Sequence, residues 1–244
     1  MPASVSILTP LVTAAPGGSG VAQVMLRNTG TVVDQFAVNL VGDASAWARP
    51  VPPALSLFPG AEGTIEIHFS PPRSSAVVAG NVPYGVRVTC QEDPEFSVVE
   101  EGEVQISGFS SVQAKIVPRT SEGKRKAVHR LELTNTGNAA VTAELSASDP
   151  DELLAFNIEP STLSVEPGAT GIARVKVAAR KGQKGRGSRR MPFNVVVEPG
   201  GPPVNVDGNF EQKPKASILL FLAIVVLVAV LVFLLKDQAG ALPL

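Results

Sequence analysis

The sequence predicts an all-β chain of two β-sandwiches in tandem, followed by a single transmembrane α-helix. Three observations carry this. The first is a duplication. Arg27-Asn28-Thr29-Gly30-Thr31 aligns with Thr134-Asn135-Thr136-Gly137-Asn138 at an offset of 107 residues, and Leu55-Ser56-Leu57-Phe58-Pro59-Gly60 aligns with Leu163-Ser164-Val165-Glu166-Pro167-Gly168 at an offset of 108. Repeats of this length are whole domains, because solenoid units are shorter. The second is period-two alternation, as in Val21-Ala22-Gln23-Val24-Met25-Leu26 and Arg130-Leu131-Glu132-Leu133-Thr134, the pattern of a strand with one buried face. The third is the uncharged run 216–235, ASILLFLAIVVLVAVLVFLL. As a helix rising about 1.5 Å per residue it spans roughly 30 Å, the thickness of a bilayer's apolar core.

In the second unit, strands are expected near 112–117, 128–134, 140–146, 162–165, 172–178, 191–197 and 204–210, and the first unit repeats them between residues 5 and 109. Seven strands spaced by turn signals make a sandwich. Asn28-Thr29-Gly30 and Asn135-Thr136-Gly137 read as tight strand connections, since Asn tolerates left-handed backbone angles and Gly adopts them freely. Pro59-Gly60 and Pro167-Gly168 punctuate the next connection. Pro50, Pro52 and Pro53 stiffen a long connection over 42–53, and Glu100-Glu101-Gly102-Glu103 interrupts the last strand of the first unit. The one helical candidate outside the apolar run is 149–156. The boundaries are therefore an acidic domain 1–109, a basic domain 110–212, and an anchor with a short tail, 213–244.

The pattern L-x-N-T-G, an apolar strand, L-S-x-x-P-G and an alternating strand resembles bacterial immunoglobulin-like domains, nearest to the NPCBM-associated and CARDB-like modules. It covers both units, about residues 5–210. The resemblance implies immunoglobulin-like β-sandwiches and is nearly silent on activity. The layout is similar to VAP-type tail-anchored adaptors, in which such a domain is held at the cytoplasmic face of a membrane. It is also similar to two-domain actinobacterial proteins encoded near phage-tail-like contractile injection systems.

Charge and leader signals set the expected topology. Residues 1–109 carry four basic and ten acidic side chains, whereas residues 110–215 carry sixteen basic and eleven acidic. The start, MPASVSILTPLVTAAPGG, has no basic leader or apolar core of signal-peptide length. Lys213 and Lys215 precede the apolar run, while Lys236 and Asp237 cancel behind it. Positive-inside logic then keeps both domains cytoplasmic at the inner membrane. The single cysteine, Cys90, allows no internal disulfide.

No catalytic constellation, cofactor motif or metal-ligand spacing emerges. His68 and His129 fall in different units, and Gly17-Gly18-Ser19-Gly20 lacks the strand-turn-helix setting of a nucleophile. Glu92-Asp93-Pro94-Glu95 lacks the order of a calcium loop and reads as a solvated turn. The second acidic cluster, 100–103, is expected near the inter-domain junction, within reach of Lys115 or Arg119. Cys90 reads as a small, half-buried thiol.

The most suggestive local feature is the cationic, glycine-spaced segment Arg180, Lys181, Lys184, Arg186, Arg189 and Arg190. No aromatic residue interleaves, so nucleic acid has no stacking platform. The strand before this segment and the last strand run the same way, so the segment emerges where the chain leaves for the membrane. Lys124, Arg125 and Lys126, in a loop 121–126, share that pole with Lys213 and Lys215. Together they are expected to contact anionic lipid headgroups. Trp47 is a candidate partner contact, assigned to the far pole of the first unit. The expected function is a non-enzymatic, membrane-tethered adaptor that docks a cytosolic protein or large assembly, with a contractile injection apparatus as one cargo. The alternative is an extracytoplasmic carbohydrate- or envelope-binding module of inverted topology.

Overall fold

Alternating side chains fold each unit into nine strands. The computed structural model describes residues 2–9, 11–183, 187–214, 226 and 228–230. Unit one holds β1 (Ala3–Ile7), β2 (Leu11–Ala14), β3 (Gly20–Asn28), β4 (Asp34–Val41), β5 (Ala48–Val51), β6 (Ala54–Leu57), β7 (Glu62–Phe69), β8 (Gly80–Cys90) and β9 (Ser97–Ile106). They form a sheet β1-β3-β7-β5 and a sheet β2-β9-β8-β4-β6. Unit two repeats the plan with β10 (Val112–Val117), β11 (Thr120–Gly123), β12 (Lys126–Asn135), β13 (Val141–Ser148), β14 (Leu154–Glu159), β15 (Thr162–Val165), β16 (Thr170–Ala179), β17 (Arg189–Glu198) and β18 (Val204–Gln212). Its sheets are β10-β12-β16-β14 and β11-β18-β17-β13-β15. Pairing is antiparallel except for β2 on β9 and β11 on β18. In each unit the inward residues of both sheets close one core, around Val24, Phe36, Ile65, Phe69 and Val86 in the first and Leu131, Val175, Phe193, Val195 and Phe210 in the second.

Nine strands replace the expected seven because two segments cross from one sheet to the other. The first strand of unit two splits at Val117-Pro118 into β10 and β11. The connection before β16 splits at Glu159-Pro160: β14 pairs with β16 in one sheet, and β15 pairs with β13 in the other. Unit one does the same at Val51-Pro52 between β5 and β6. Proline has no N–H for the ladder, so it stands where pairing changes partner.

Several expectations are corrected. The helical candidate 149–156 is a turn leading into a strand, since Asp149 accepts hydrogen bonds from the backbone N–H of Leu153 (2.7 Å) and Leu154 (3.3 Å) and β14 begins there. The connection 42–53 contains a 3-10 helix, Asp43–Trp47, and strand β5. Glu100-Glu101-Gly102-Glu103 does not break β9, which pairs with β8 throughout. The loop expected over 121–126 reduces to Lys124 and Arg125, because β11 and β12 close around it.

The Asn-Thr-Gly triplets are not hairpin turns. Each carries the chain from one sheet to the other, between β3 and β4 or between β12 and β13. Neither asparagine lies in the left-handed region, and Gly30 and Gly137 have no positive φ. The asparagine side chain shapes the arch instead. Asn28 Nδ2 donates to the carbonyls of Val32 and Leu57 (2.9 Å each) and its Oδ1 accepts from Gly30 N (2.9 Å). Asn135 makes the same bonds to Ala139 (2.8 Å), Val165 (2.9 Å) and Gly137 (2.9 Å). In this pair of repeated motifs the glycines with positive φ are those of the Pro-Gly turns, Gly60 and Gly168, at φ 77° and 74°.

Among the described residues no helix is long and apolar enough to cross a membrane. The predicted span 216–235 lies outside them apart from Val226 and residues 228–230, which are helical and exposed.

Candidate interaction surfaces at the poles

The strand directions give each unit two poles. In unit two, Lys126 at the start of β12, Ala179 at the end of β16, Arg189 at the start of β17 and Gln212 at the end of β18 lie at one pole through the pairs Lys126–Ala178 and Arg189–Gln212. The chain leaves the sandwich here. Gln212 is 2% exposed, and its side-chain Nε2 donates to the carbonyls of Lys124 (3.0 Å) and Lys181 (3.1 Å). Ala179 N donates to Arg125 O (2.8 Å), and Lys213 N donates to Gly123 O (2.8 Å). One buried amide thus gathers the two cationic connections at the exit strand.

The exposed basic side chains described at this pole are Lys124, Arg125, Lys126, Arg180, Lys181, Arg189, Arg190 and Lys213. Arg180 is partly committed, since its Nε donates to Leu154 O (2.9 Å). Lys213 pairs with Glu122, whose hydrogen bond and charge raise its pKa. Ser188 donates to Glu211. Lys184, Arg186 and Lys215 lie outside the described residues. The arrangement offers anion-binding side chains on exposed turns.

The junction between units is built on a residue whose role the sequence did not disclose. Asn138 is fully buried. Its Oδ1 accepts from Phe109 N (2.7 Å), and its Nδ2 donates to Val77 O and Ser107 O (3.1 Å each). Its own N–H donates to Phe109 O (3.2 Å), and its carbonyl accepts from Ala79 N (2.9 Å). Thr136 and Gly137 hold Ser111 O by backbone N–H groups at 2.8 and 2.9 Å. A Cβ on Gly137 would stand 2.5 Å from Phe109 O, so only glycine admits the linker there. Arg73 lies over the Phe109 ring, 4.2 Å from its centroid. Asn138 aligns with Thr31 of unit one, and that mismatch was the only available sequence signal.

Trp47 is not at the far pole. It ends the 3-10 helix beside Phe69, with ring centroids 6.0 Å apart and its carbonyl accepting from Ser70 N (2.8 Å). That end of β7 carries the 70–79 connection, which bonds to Asn138. The indole is half-buried and borders a cleft with Asp43, Ala76, Val77, Val78 and Val82. Nor do the acidic residues 100–103 meet Lys115, which pairs with Glu132 at 2.8 Å and keeps that carboxyl below its usual range. Glu103 instead accepts from Asn81 (2.9 Å).

His129 has a structural environment. It is 1% exposed. Its Nδ1 lies 2.6 Å from Pro118 O and its Nε2 2.8 Å from Ser121 Oγ, and its ring meets Phe193 edge-on at 5.0 Å. Burial lowers its pKa against the opposing pull of the Pro118 carbonyl. The group fastens the crossing from β10 to β11. His68 bonds Glu66 at 2.9 Å in the other sandwich. Cys90 is buried rather than half-buried, and burial together with Asp34 pushes its thiol up to about 11, far from a reactive thiolate. Among the described residues no group of His, Cys, Asp and Glu could hold a metal ion.

No protein-family profile and no curated protein sequence matches the chain. Among solved structures it is similar to the D00–D0 domains of intimin, at 9% identity over 85% of this chain and 98% of that one, with a TM-score of 0.40. It is similar to the periplasmic chaperone SfaE, at 14% identity over 83% and 99%, with a TM-score of 0.32. A protein of unknown function from Porphyromonas gingivalis W83 is 16% identical over 87% and 100%, with a TM-score of 0.34. Likeness at this level of identity and TM-score carries no conclusion about what the chain does.

Proposed function

We propose that the chain is a non-enzymatic adaptor tethered to the cytoplasmic face of a membrane, holding a protein partner through unit one. The observation that supports it is the exit pole of unit two. Lys124, Arg125, Lys181, Arg189, Arg190 and Lys213 converge there, and the apolar run 216–235 follows Lys213 in the sequence. Each cation close to an anionic bilayer contributes about 1 kcal/mol, within a Debye length of the surface. The run supplies insertion, and the cations hold the sandwich in one orientation over the headgroups. A large cytosolic assembly, such as a contractile injection apparatus, is a cargo of fitting scale.

The full chain is expected to sediment with membranes and to resist alkaline extraction, and deletion of 216–235 releases it. Protease added to intact cells leaves residues 1–212 uncut. Recovery of the full chain as soluble protein overturns the tether, and cleavage from outside favours an extracytoplasmic module. Neutralising the six cations leaves insertion intact and frees the sandwich to tilt, read by quenching of a fluorophore on unit two against vesicles with and without anionic lipid.

A further inference from the structure

Unit two shows what its entry pole is for: it is covered by unit one. The covering elements are the 70–79 connection and the linker, which meet Asn138 and the loop at Gly168, where a Cβ would lie 3.3 Å from Ser75 Oγ. Unit one carries the same pole, built on the same bonds. Asn28 N to Ala61 O (3.0 Å) and Gly60 N to Asn28 O (2.8 Å) repeat Asn135 N to Ala169 O (3.0 Å) and Gly168 N to Asn135 O (2.9 Å). The linker's place beside Thr136 is taken in unit one by Pro2, whose carbonyl accepts from Thr29 N (3.0 Å).

The side chains on the two poles differ in one direction. Where unit two has Ala139, Ala140 and Glu166, unit one has Val32, Val33 and Phe58, which are 56%, 49% and 72% exposed. They adjoin one another, because Asn28 Nδ2 bonds the carbonyls of both Val32 and Leu57. An acidic rim borders them. Asp34 Oδ1 accepts from Gln91 N (3.1 Å) and Glu92 N (3.2 Å), which pins the turn bearing exposed Glu92, Asp93 and Glu95 beside Val33. A large exposed aromatic with two valines inside a charged rim has the make-up of an interaction site.

We propose that this distal pole docks a partner protein's loop that carries apolar side chains flanked by arginine or lysine. The inference deepens the adaptor reading and rests on it for the cellular setting. Two observations choose the occupant. The equivalent pole of unit two is filled by a connecting loop of a sandwich, with Val77 and Ala79 in contact and Arg73 laid over Phe109. The carboxylates at the rim select the opposite charge.

The test places a photo-crosslinking side chain at Thr31 of the full chain, the counterpart of Asn138, in cells that naturally produce the protein. The crosslinked segment is then sequenced by mass spectrometry. The expected result is one discrete partner segment, apolar with flanking Arg or Lys. Its yield should fall roughly tenfold or more with Phe58→Glu, the scale of a central aromatic anchor. It should fall again with the triple reversal Glu92→Lys, Asp93→Lys and Glu95→Lys. All these side chains are exposed, and an unchanged melting temperature confirms folding. No crosslink, a crosslink to a second copy of this chain, a segment without basic residues, or a yield indifferent to the variants overturns the proposal. Membrane sedimentation of the same samples separates the two failures: an intact tether without a crosslink sinks the docking surface alone.

Discussion

The two units share a framework and differ in what they bury at their ends. Asn28 and Asn135 hold identical arches, and an aromatic lies over a cross-strand glycine in both: Tyr84 over Gly102, Phe193 over Gly208. At the chain-exit ends, Ile106 in unit one is matched by Gln212 in unit two, each 2% exposed. At the entry ends, exposed Thr31 is matched by fully buried Asn138. Ala22 in the core of unit one is matched by His129. Unit two therefore replaces small or apolar residues with buried polar ones at the places where a linker, a crossing strand or a cationic turn must be held. A buried polar group is tolerated only when its bonds are made. Its appearance in one copy of a repeat, and not in the other, marks where that copy has taken on an extra task.

The largest test of the comparison is the shared arch. Asn135→Ala strips partners from Gly137 N and the carbonyls of Ala139 and Val165, all close to or inside the core. Leaving buried groups unpaired costs about 1–3 kcal/mol each, so a loss of roughly 3 kcal/mol or more is expected. Asn28→Ala should cost nearly as much in unit one. Denaturant titration of each variant reads this, and a loss below about 1 kcal/mol in both would show that the asparagines do not shape the arch.

Asn138→Thr is next, since it gives unit two the residue of unit one. It orphans Phe109 N, Val77 O and Ser107 O, which sit at the edge of the junction where water can enter. A cost of about 2 kcal/mol is expected. The readout peculiar to the junction is a wider spread of inter-unit angles in solution scattering, which Asn28→Ala should not produce. An unchanged scattering profile would assign the angle to the linker alone.

How much of this was legible in the sequence follows from the same contrast. The duplication, the long strands β3, β12, β16 and β17, and the convergence of Lys124, Lys181 and Lys213 on one pole could be read from alternation and strand direction. The short pieces could not. Thr120–Gly123 reads TSEG, with no apolar residue, and is a strand only because its backbone pairs with β18. Leu154–Glu159 is too short for periodicity to separate strand from helix. Trp47 was misplaced because its connection turns into a 3-10 helix and packs its ring toward Phe69. Asn138, Gln212 and the exposure of Phe58 are facts of tertiary pairing, invisible to any local pattern.

The His129 contrast is broken with acid. Its folded pKa lies below the ordinary 6.5, mainly through burial. The unfolded chain therefore takes up a proton first as pH falls. The stability tied to neutral His129 is fully present above about pH 6.5 and is lost as pH drops from there through the folded value. Glu132, held below 4.5 chiefly by its hydrogen bond from Lys115, loses its share only at more acid pH. Unit two should weaken in the histidine window, and His129→Gln, which keeps a polar side chain without a titrating ring, should flatten that slope. A slope that persists in the variant would place its source elsewhere.

The smallest expected effect sharpens the comparison rather than breaking it. Tyr84 is 2% exposed, and among the described residues its hydroxyl has no hydrogen-bond partner, while burial raises its pKa. Phe193 holds the equivalent place in unit two over Gly208 and carries no hydroxyl to satisfy. The Tyr84 ring already meets Phe69 edge-on at 4.9 Å, so removing one oxygen keeps the packing and lifts the cost of an unpaired buried group. Tyr84→Phe is therefore expected to stabilise unit one by about 1 kcal/mol, seen as a higher midpoint in denaturant with an unchanged slope. A loss of stability of that size would mean that the hydroxyl is satisfied in solution, by a water entering between β1 and β9. Unit one would then be the copy with a wet core edge, a further polar difference beside the exchanges of Ile106 for Gln212 and of Ala22 for His129.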